Sequence, residues 1–155
     1  MPDPSATYDA VISAGLELVD GDRGSLMLLD ESLGALVIRS QQGLPEHIAH
    51  EARVTLGEGV AGWVAEHDQA VLLQGRASAD GRFSPGENLP VQSSLSVPLR
   101  AHGEVLGVLN LGQVRGSHET ALDESDKRLA QVFAQHASIS VKYAALWELV
   151  QRRGH

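Results

Sequence analysis

Two short apolar runs joined by a polar turn form the most regular pattern in the chain. The runs cover residues 95–99 and 105–111, and the connection has Gly103 at its tip, as is typical of a β-hairpin. Side chains alternate between the two faces of a strand, and the second run has apolar residues in both alternating sets. Since both faces are apolar, the pattern predicts a hairpin within a sheet that other elements cover on both sides.

Helices and further strands are predicted on either side of this hairpin. Apolar positions at three- and four-residue spacing predict helices over residues 5–19, 59–66 and 123–152. Runs of β-type residues between turn signals predict strands over residues 23–30, 35–41, 54–56 and 71–73. A short helix is predicted over residues 45–50, because Pro45 can occupy a first helical position. Together these elements indicate an α+β fold, and 155 residues suit a single domain over residues 1–155.

A long polar loop precedes the central hairpin. It covers residues 74–92, contains glycine and proline, and includes Phe83 as an apolar residue that could anchor it to the domain. Loops of this length in a compact domain are usually functional or disordered. The anchored loop predicts a cover over a pocket, and a mobile insertion is the alternative.

The C-terminal helix carries two neighbouring apolar stripes. The first, called the heptad seam below, comprises Leu129, Val132, His136, Ile139, Tyr143, Leu146 and Val150. The second comprises Phe133, Ala137, Ser140, Ala144 and Trp147, and the predicted polar face comprises Gln131, Gln135, Ser138 and Lys142. One stripe is enough to cover a sheet, so two stripes predict a further partner. That partner is either the helix over residues 5–19 or a second copy of the chain, and the shorter helix would leave one end of the seam uncovered.

Charge and composition exclude several classes of function. The chain has 12 basic and 20 acidic residues, and its net charge of −8 argues against nucleic acid or an anionic membrane as a main partner. It has no cysteine, which removes disulfides, thiolate metal sites and cysteine nucleophiles. No apolar run is long enough to span a bilayer, and no secretory leader is visible. These features predict a cytoplasmic protein.

Residues 57–62 match the G-x-G-x-x-G pattern of dinucleotide-binding proteins. That function requires a buried strand before the motif and an acidic residue at the end of the next strand. The strand over residues 71–73 is followed by Gln74 instead. The motif is therefore interpreted as the exposed N-terminus of a helix at Gly59, where an anionic or polar ligand group could bind.

Patterns for metal binding and catalysis are weak. His47 and His50 could share a metal, but the sequence places no third ligand beside them, and a solvated surface is the favoured interpretation. The sequence contains no G-x-S-x-G elbow and no carboxylate pair with a spacing that implies acid–base chemistry. We therefore expect no metal, no cofactor and no enzymatic activity.

Several motifs together resemble the GAF domain family of small sensory modules. They lie at residues 23–30, 43–45, 56–64, 80–83, 94–99, 107–110 and 122–147. The resemblance implies an antiparallel sheet of five or six strands, similar to the profilin and PAS folds. It places the first and last helices on one face, often in a dimer. The helix at Gly59 and the loop over residues 74–92 would close a pocket on the other face.

Departures from known branches of this family narrow the expected ligand. Bilin-binding members and the methionine sulfoxide reductases of the family use cysteine, which this chain lacks. The N-K-F-D-E pattern of members that bind cyclic nucleotides is absent, and the loop over residues 74–92 has no histidine for haem. A small organic molecule, an inorganic anion or no ligand remains.

We therefore expect a ligand-sensing module of signal transduction that works as a parallel homodimer through the heptad seam. Its pocket is predicted to touch Trp63, Phe83, Ser94 and Ser96, near the helix N-terminus at Gly59. The two serines share one side of their strand, although the sequence does not fix which side. The signal would pass along the last helix to an effector, such as a kinase or cyclase, that is either absent from this sequence or a separate protein. The alternative is a structural dimerisation module without a ligand.

Overall fold

A computed structural model of the chain describes residues 3–45, 53–74, 91–114 and 120–153. The elements in these ranges are α1 (Pro4–Val19), β1 (Arg23–Asp30), β2 (Ala35–Gln42), β3 (Arg53–Thr55), α2 (Gly59–His67), β4 (Val71–Gln74), β5 (Val91–Ala101), β6 (Glu104–Val114) and α3 (Glu124–Arg153). Apart from Pro45, the helix predicted over residues 45–50 lies outside the described residues, and so does most of the loop over residues 74–92. No helix in the described ranges combines the length and apolarity needed to cross a membrane.

The six strands form one antiparallel sheet in the order β3-β2-β1-β6-β5-β4. The predicted central hairpin is β5–β6, and β6 also pairs with β1, so the hairpin extends into the middle of the sheet. Its turn residues, His102 and Gly103, have φ angles of +54° and +79°. Positive φ at both positions is typical of the tight turn whose twist matches the strands. The predicted antiparallel α+β architecture is confirmed.

The terminal helices α1 and α3 cover one face of the sheet. Leu95, Val97 and Leu99 of β5 point toward them and are at most 1% exposed. In β1, a Cβ atom at Gly24 would meet Ile12 of α1, so Gly24 faces the same way. Complete burial of one large aliphatic side chain contributes about 1.5–3 kcal/mol. The layer between the terminal helices and the sheet is therefore the main apolar core.

Helix α3 contacts the sheet mainly through small side chains. Its buried residues are Ala130, Ala134, Ala137, Ser138, Val141 and Ala144. The prediction that Ser138 lies on the polar face is wrong, because Ser138 is fully buried and its hydroxyl donates to the Ala134 carbonyl at 2.6 Å. Ser140, predicted in an apolar stripe, is exposed. Small side chains allow a close approach of α3 to the sheet, which leaves the larger residues of the helix outside.

The heptad seam of α3 lies on the surface of the single chain. Val132 and Ile139 are each 54% exposed, Tyr143 is 59% exposed and Val150 is 62% exposed. The other seam residues, Leu129, His136 and Leu146, are exposed as well. Helix α1 contacts α3 without covering the seam, so α1 is not the partner that the two-stripe pattern requires.

Helix α2 packs on the opposite face of the sheet. A second apolar cluster joins α2 to that face and comprises Met27, Leu36, Val64, Val71, Leu73 and Val108. Helix α2 therefore lies across the sheet from the terminal helices, as the family resemblance predicts.

Two aspartates cap the N-terminus of α3. The Asp123 carboxylate accepts hydrogen bonds from the Ser125 hydroxyl at 2.7 Å and from the Asp126 N–H at 3.0 Å. The Asp126 carboxylate accepts from the Asp123 N–H at 2.9 Å, which completes a reciprocal cap. The Ser125 hydroxyl and the Asp126 N–H hold the pKa of Asp123 below its ordinary value of 3.8.

We expect Asp123→Ala to lower the melting temperature at neutral pH, because an N–H at the helix start loses its acceptor. Folding lowers the pKa of this carboxyl, so its contribution is present above the unfolded pKa and is lost as the pH falls through the folded value. The difference in melting temperature between the two proteins should therefore shrink below about pH 4. Circular dichroism melts at a series of pH values test this, with Glu31→Ala in an exposed turn as the control. A difference that persists in acid would contradict the assignment.

Candidate functional site

A row of buried polar side chains crosses the α2 face of the sheet. Ser96 of β5, Asn110 of β6 and Ser25 of β1 stand in register on three adjacent strands. The Ser96 hydroxyl donates to Asn110 Oδ1 at 2.7 Å, and Asn110 Nδ2 donates to Ser25 Oγ at 3.1 Å. Ser25 is 6% exposed and Ser96 is 3% exposed. Burial of polar groups costs free energy unless they are hydrogen-bonded, and here Asn110 pairs both hydroxyls.

The strand pairing fixes the face on which the predicted serines lie. Ser94 and Ser96 pair with Leu73 and Val71 of β4, and both of these β4 residues belong to the apolar cluster around α2. Leu95, between the two serines, faces the terminal helices. Both serines therefore point to the α2 side, and neither lies beneath α1 or α3.

A second row runs beside the first and contains Arg23, Gly112 and Ser94 on the same three strands. Arg23 lies on the α2 face, because the next residue, Gly24, faces Ile12 of α1. The Nε and Nη1 atoms of Arg23 are buried, and no described residue accepts a hydrogen bond from either atom. The two rows together, called the polar rows below, bring one arginine, three serines and an asparagine onto the same face of three adjacent strands.

The other predicted ligand residues lie on α2 or outside the described ranges. Trp63 packs against the apolar cluster, and its ring stacks on that of His67 with the ring centroids 4.3 Å apart. Gly59 is the first residue of α2 and has a φ angle of +60°. Phe83 lies outside the described residues. Contact of Gly59, Trp63 and Phe83 with a ligand stays a prediction.

The glycine motif at residues 57–62 is explained by the packing of α2 against β3. A Cβ atom at Gly62 would lie 2.6 Å from the Thr55 carbonyl oxygen, so only glycine fits there. The Gly57 N–H donates to the Gly62 carbonyl, and the Gly62 N–H donates to the Glu58 carbonyl. The motif therefore shapes the turn from β3 into α2, and a bound phosphate is not needed to explain it.

A groove of about 190 Å³ lies away from the polar rows. It is lined by Asp68, Ala70, Pro98, Arg100, Gln131 and Gln135. Arg100 Nε and Asp68 Oδ2 form an ion pair there at 2.9 Å. None of the predicted pocket residues lines this groove.

Within residues 3–45, 53–74, 91–114 and 120–153, no three His, Cys, Asp or Glu side chains are grouped so that they could hold a metal ion. His47 and His50 lie outside these ranges.

Asn110 connects the two hydroxyls of the first polar row. We expect Asn110→Leu to reduce the free energy of unfolding by about 1–3 kcal/mol, because the buried hydroxyls of Ser25 and Ser96 would lose their partner. Urea denaturation measures the change, and Gln151→Leu on the exposed surface of α3 is the matched control. The control should change stability by less than about 0.5 kcal/mol. Equal effects of the two substitutions would show that the polar row does not stabilise the sheet.

Known proteins with similar sequences indicate the family of this chain. The chain matches the model of the GAF domain family over residues 2–142. It is 25% identical over 155 residues to a Caenorhabditis elegans protein described as probable 3′,5′-cyclic phosphodiesterase pde-5. It is 28% identical over 143 residues to the dual 3′,5′-cyclic-AMP and -GMP phosphodiesterase 11A of Takifugu rubripes.

These alignments cover 92% and 84% of this chain but only 21% and 16% of the two phosphodiesterases. The chain therefore spans about a fifth or less of the length of these relatives. Among solved structures, the GAF domain of a phosphoenolpyruvate-protein phosphotransferase from Coxiella burnetii superposes with a TM-score of 0.79. It is 22% identical, with 96% of this chain and 88% of that chain covered, and at this identity the likeness shows the fold alone.

The sheet, the terminal helices on one face and α2 on the other define a small α+β domain with the fold of the solved GAF domains. The family match is more specific, and the chain belongs to the GAF domain family. Membership supports a regulatory or ligand-sensing role.

Proposed function

We propose that this GAF domain senses a small molecule bound over the polar rows and transmits binding through a parallel homodimer of α3. In this account the domain is a cytoplasmic regulatory module that catalyses no reaction. It would regulate an effector such as a kinase or cyclase. The observation that carries the proposal is the hydrogen-bonded row of Ser96, Asn110 and Ser25 beside the apolar cluster of the α2 face.

The geometry of the α2 face supports a binding site better than a filled core. Met27 and Val108, next along β1 and β6 on the same face, are apolar and pack with α2. The neighbouring positions on this face of β1 and β6 are Ser25 and Asn110. Their side chains can direct hydrogen bonds toward a ligand. An apolar wall beside a few convergent polar groups is the usual composition of a small-molecule site.

The α3 seam supports the dimer. Its large residues are exposed in the single chain, and their spacing of three and four residues allows two helices to pack along their length. Two-fold symmetry is the commonest symmetry of soluble oligomers, and a two-fold axis here would bring each seam against its copy. Since α3 also packs on the sheet through its alanines, a change in the sheet could alter the position of the seam.

The proposal of a non-catalytic role rests on the side chains of the polar rows. They offer hydroxyls, an amide and a guanidinium, and none of these pairs a nucleophile with a general base. Reproducible conversion of a metabolite by the purified protein, abolished by one substitution in the polar rows, would overturn this part.

A thermal-shift screen tests ligand sensing directly. Metabolites from the classes of nucleotides, amino acids, organic acids and oxyanions are added separately to the purified chain. A molecule that binds the native state raises the melting temperature, and the shift grows with the logarithm of its free concentration once that concentration exceeds the Kd. We expect at least one such molecule, and we expect Ser96→Val to reduce its shift, because the variant removes a hydroxyl from the site.

The matched control is Thr55→Val, which removes a hydroxyl from the exposed strand β3 and should leave the shift unchanged. If no metabolite raises the melting temperature of the wild-type chain, the structural dimerisation module becomes the better description. If both variants reduce the shift equally, the ligand does not bind over the polar rows.

A further inference from the structure

We infer that the polar rows bind the carboxylate group of a small organic acid, with Arg23 as the principal contact. This inference rests on the proposed sensing function and specifies the chemical class of its ligand. The observation behind it is a guanidinium with two buried N–H groups that no described residue accepts. Arginine stays protonated in proteins, so these groups cannot become neutral by losing a proton. Arg23 as a whole is half-buried, but N–H groups that are buried without an acceptor are unfavourable, which makes an external anion the natural complement.

The backbone directs Arg23 into the proposed site. Arg23 is the first residue of β1 and stands two residues before Ser25, so both side chains leave the strand on the α2 face. Gly43 lies against the aliphatic part of Arg23, where a Cβ atom would be 3.2 Å from the Arg23 Cγ atom. This contact limits where the stem of the arginine can go. Gly43 follows β2, so this contact lies on the β2 side of β1, while strand alternation keeps the Arg23 side chain on the α2 face.

The neighbouring hydrogen bonds also end in a donor. Ser96 donates to Asn110, and Asn110 donates to Ser25. Ser25 Oγ is the acceptor in its bond, so its own proton remains to be donated. The chain of hydrogen bonds therefore finishes with an O–H group two residues from the guanidinium. A ligand atom that meets both groups must be an acceptor, and a carboxylate supplies two acceptor oxygens in the plane that arginine prefers.

The second row has a glycine at its centre. Gly112 stands between Arg23 and Ser94 and contributes no side chain. Two strand spacings separate Arg23 from Ser94, which is roughly 9–10 Å between their backbones. A carboxylate at Arg23 could thus belong to a molecule that lies over Gly112 and reaches the Ser94 hydroxyl with a second polar group.

The charge favours a carboxylate over a phosphate. Arg23 is the one positive charge in the polar rows, and it balances the single charge of a carboxylate. A phosphate group at neutral pH carries up to two charges and usually binds several cationic or N–H donors. The whole chain has a net charge of −8, which adds long-range repulsion against more highly charged anions.

Paired probes test this inference. Pyruvate, succinate and alanine are compared with pyruvamide, succinamide and alaninamide, in which an amide replaces each carboxylate, and inorganic phosphate is a further probe. Calorimetry and melting temperatures are measured for the wild-type chain, Arg23→Gln, Arg23→Lys and Ser25→Ala. Arg53→Gln, which removes the same charge from the exposed strand β3, is the matched control.

At least one carboxylate should bind the wild type and the Arg53→Gln control, while its amide should not. Arg23→Gln should weaken that binding at least about tenfold, and Arg23→Lys should weaken it less, because lysine keeps the charge without the planar fork. Without ligand, Arg23→Gln should melt at the same temperature as the wild type or higher, because it removes buried N–H groups that have no acceptor. If Arg23 had a purely structural role, Arg23→Gln would not weaken carboxylate binding while leaving the melting temperature unchanged or higher.

Other outcomes would overturn the inference in distinguishable ways. If the amides bind as well as the acids and Arg23→Gln has no effect, the ligand is neutral at this position and the sensing proposal stands. If phosphate alone binds, the site takes an oxyanion of higher charge. If Arg23→Gln lowers the melting temperature and no carboxylate binds, Arg23 is paired with a carboxylate of the chain itself. If neither these probes nor any metabolite of the wider screen binds, the sensing proposal fails as well.

Discussion

Gly107→Ala should prevent the chain from forming a stable sheet. A Cβ atom at Gly107 would overlap the Met27 carbonyl oxygen and lie 2.9 Å from the carbonyl carbon of the same residue. These are backbone atoms of β1, which is held between β2 and β6, so they cannot move aside as a side chain could. Overpacking of a core side chain typically costs about 1–3 kcal/mol, and a clash with backbone at the centre of the sheet should exceed that range. Small domains have only about 5–15 kcal/mol of stability to lose.

Urea denaturation followed by circular dichroism measures the effect, with Gly15→Ala as the matched control. At Gly15 in α1, a Cβ atom would contact flexible methyl groups of Leu111 at 3.2 Å. Alanine is also favoured over glycine within a helix by roughly 0.5–1 kcal/mol, so the control should stay within about 1 kcal/mol of the wild type. If Gly107→Ala is as stable as Gly15→Ala, the close approach of β6 to β1 is wrong.

Leu146→Glu should convert the protein from a dimer into a monomer without unfolding it. Leu146 is 47% exposed in the single chain, so its role in the fold of one copy is small. In the proposed dimer it would face the partner helix, where a glutamate would lose its hydration without gaining a partner. The two-fold axis would also bring two such charges close together, which doubles the unfavourable effect.

Sedimentation equilibrium of the wild type and the variant at the same concentrations tests the assembly. Gln135→Glu adds the same charge to the exposed surface of α3 off the seam, and it should remain dimeric. The far-ultraviolet spectrum of Leu146→Glu should match the wild type, because the sheet and its core are unchanged. A wild-type chain that is monomeric at high micromolar concentration would remove the dimer from this account.

The central hairpin and the terminal helices could be predicted from local patterns. The apolar runs over residues 95–99 and 105–111 correspond to β5 and β6, since alternation within one strand depends only on neighbouring residues. The helices at residues 5–19 and 123–152 are found within one or two residues of their predicted ends. Local periodicity and turn chemistry are sufficient for such elements.

The orientation of α3 on the sheet could be predicted only in part. Large apolar residues were expected to face the sheet or α1, but the buried stripe is mostly alanine with Ser138 and Val141. Hydrophobicity ranks leucine and isoleucine above alanine, whereas close packing of a helix on a sheet selects small side chains. The sequence pattern shows that two stripes exist and does not show which one is nearer the sheet.

The candidate site was predicted least completely. Alternation correctly puts Ser94 and Ser96 on one side of β5, while Arg23, Ser25 and Asn110 were not predicted to belong to a site. The Asn110–Ser25 hydrogen bond joins residues 85 positions apart. Such a contact depends on strand order and register, which local patterns do not determine. The Arg23-x-Ser25 spacing at the start of a strand is the one signal that could have indicated two polar groups on the same face.

The central claim is that ligand binding over the polar rows changes the α3 dimer interface. Amide hydrogen exchange, measured with and without the ligand found in the screen, tests this claim most directly. We predict slower exchange in β1, β5 and β6 on ligand binding, together with a change in exchange along residues 139–150 of α3. Ser96→Val should reduce both effects in parallel, because linkage makes them consequences of one binding event. Protection confined to another surface, or protection of the strands with no change in α3, would contradict the account.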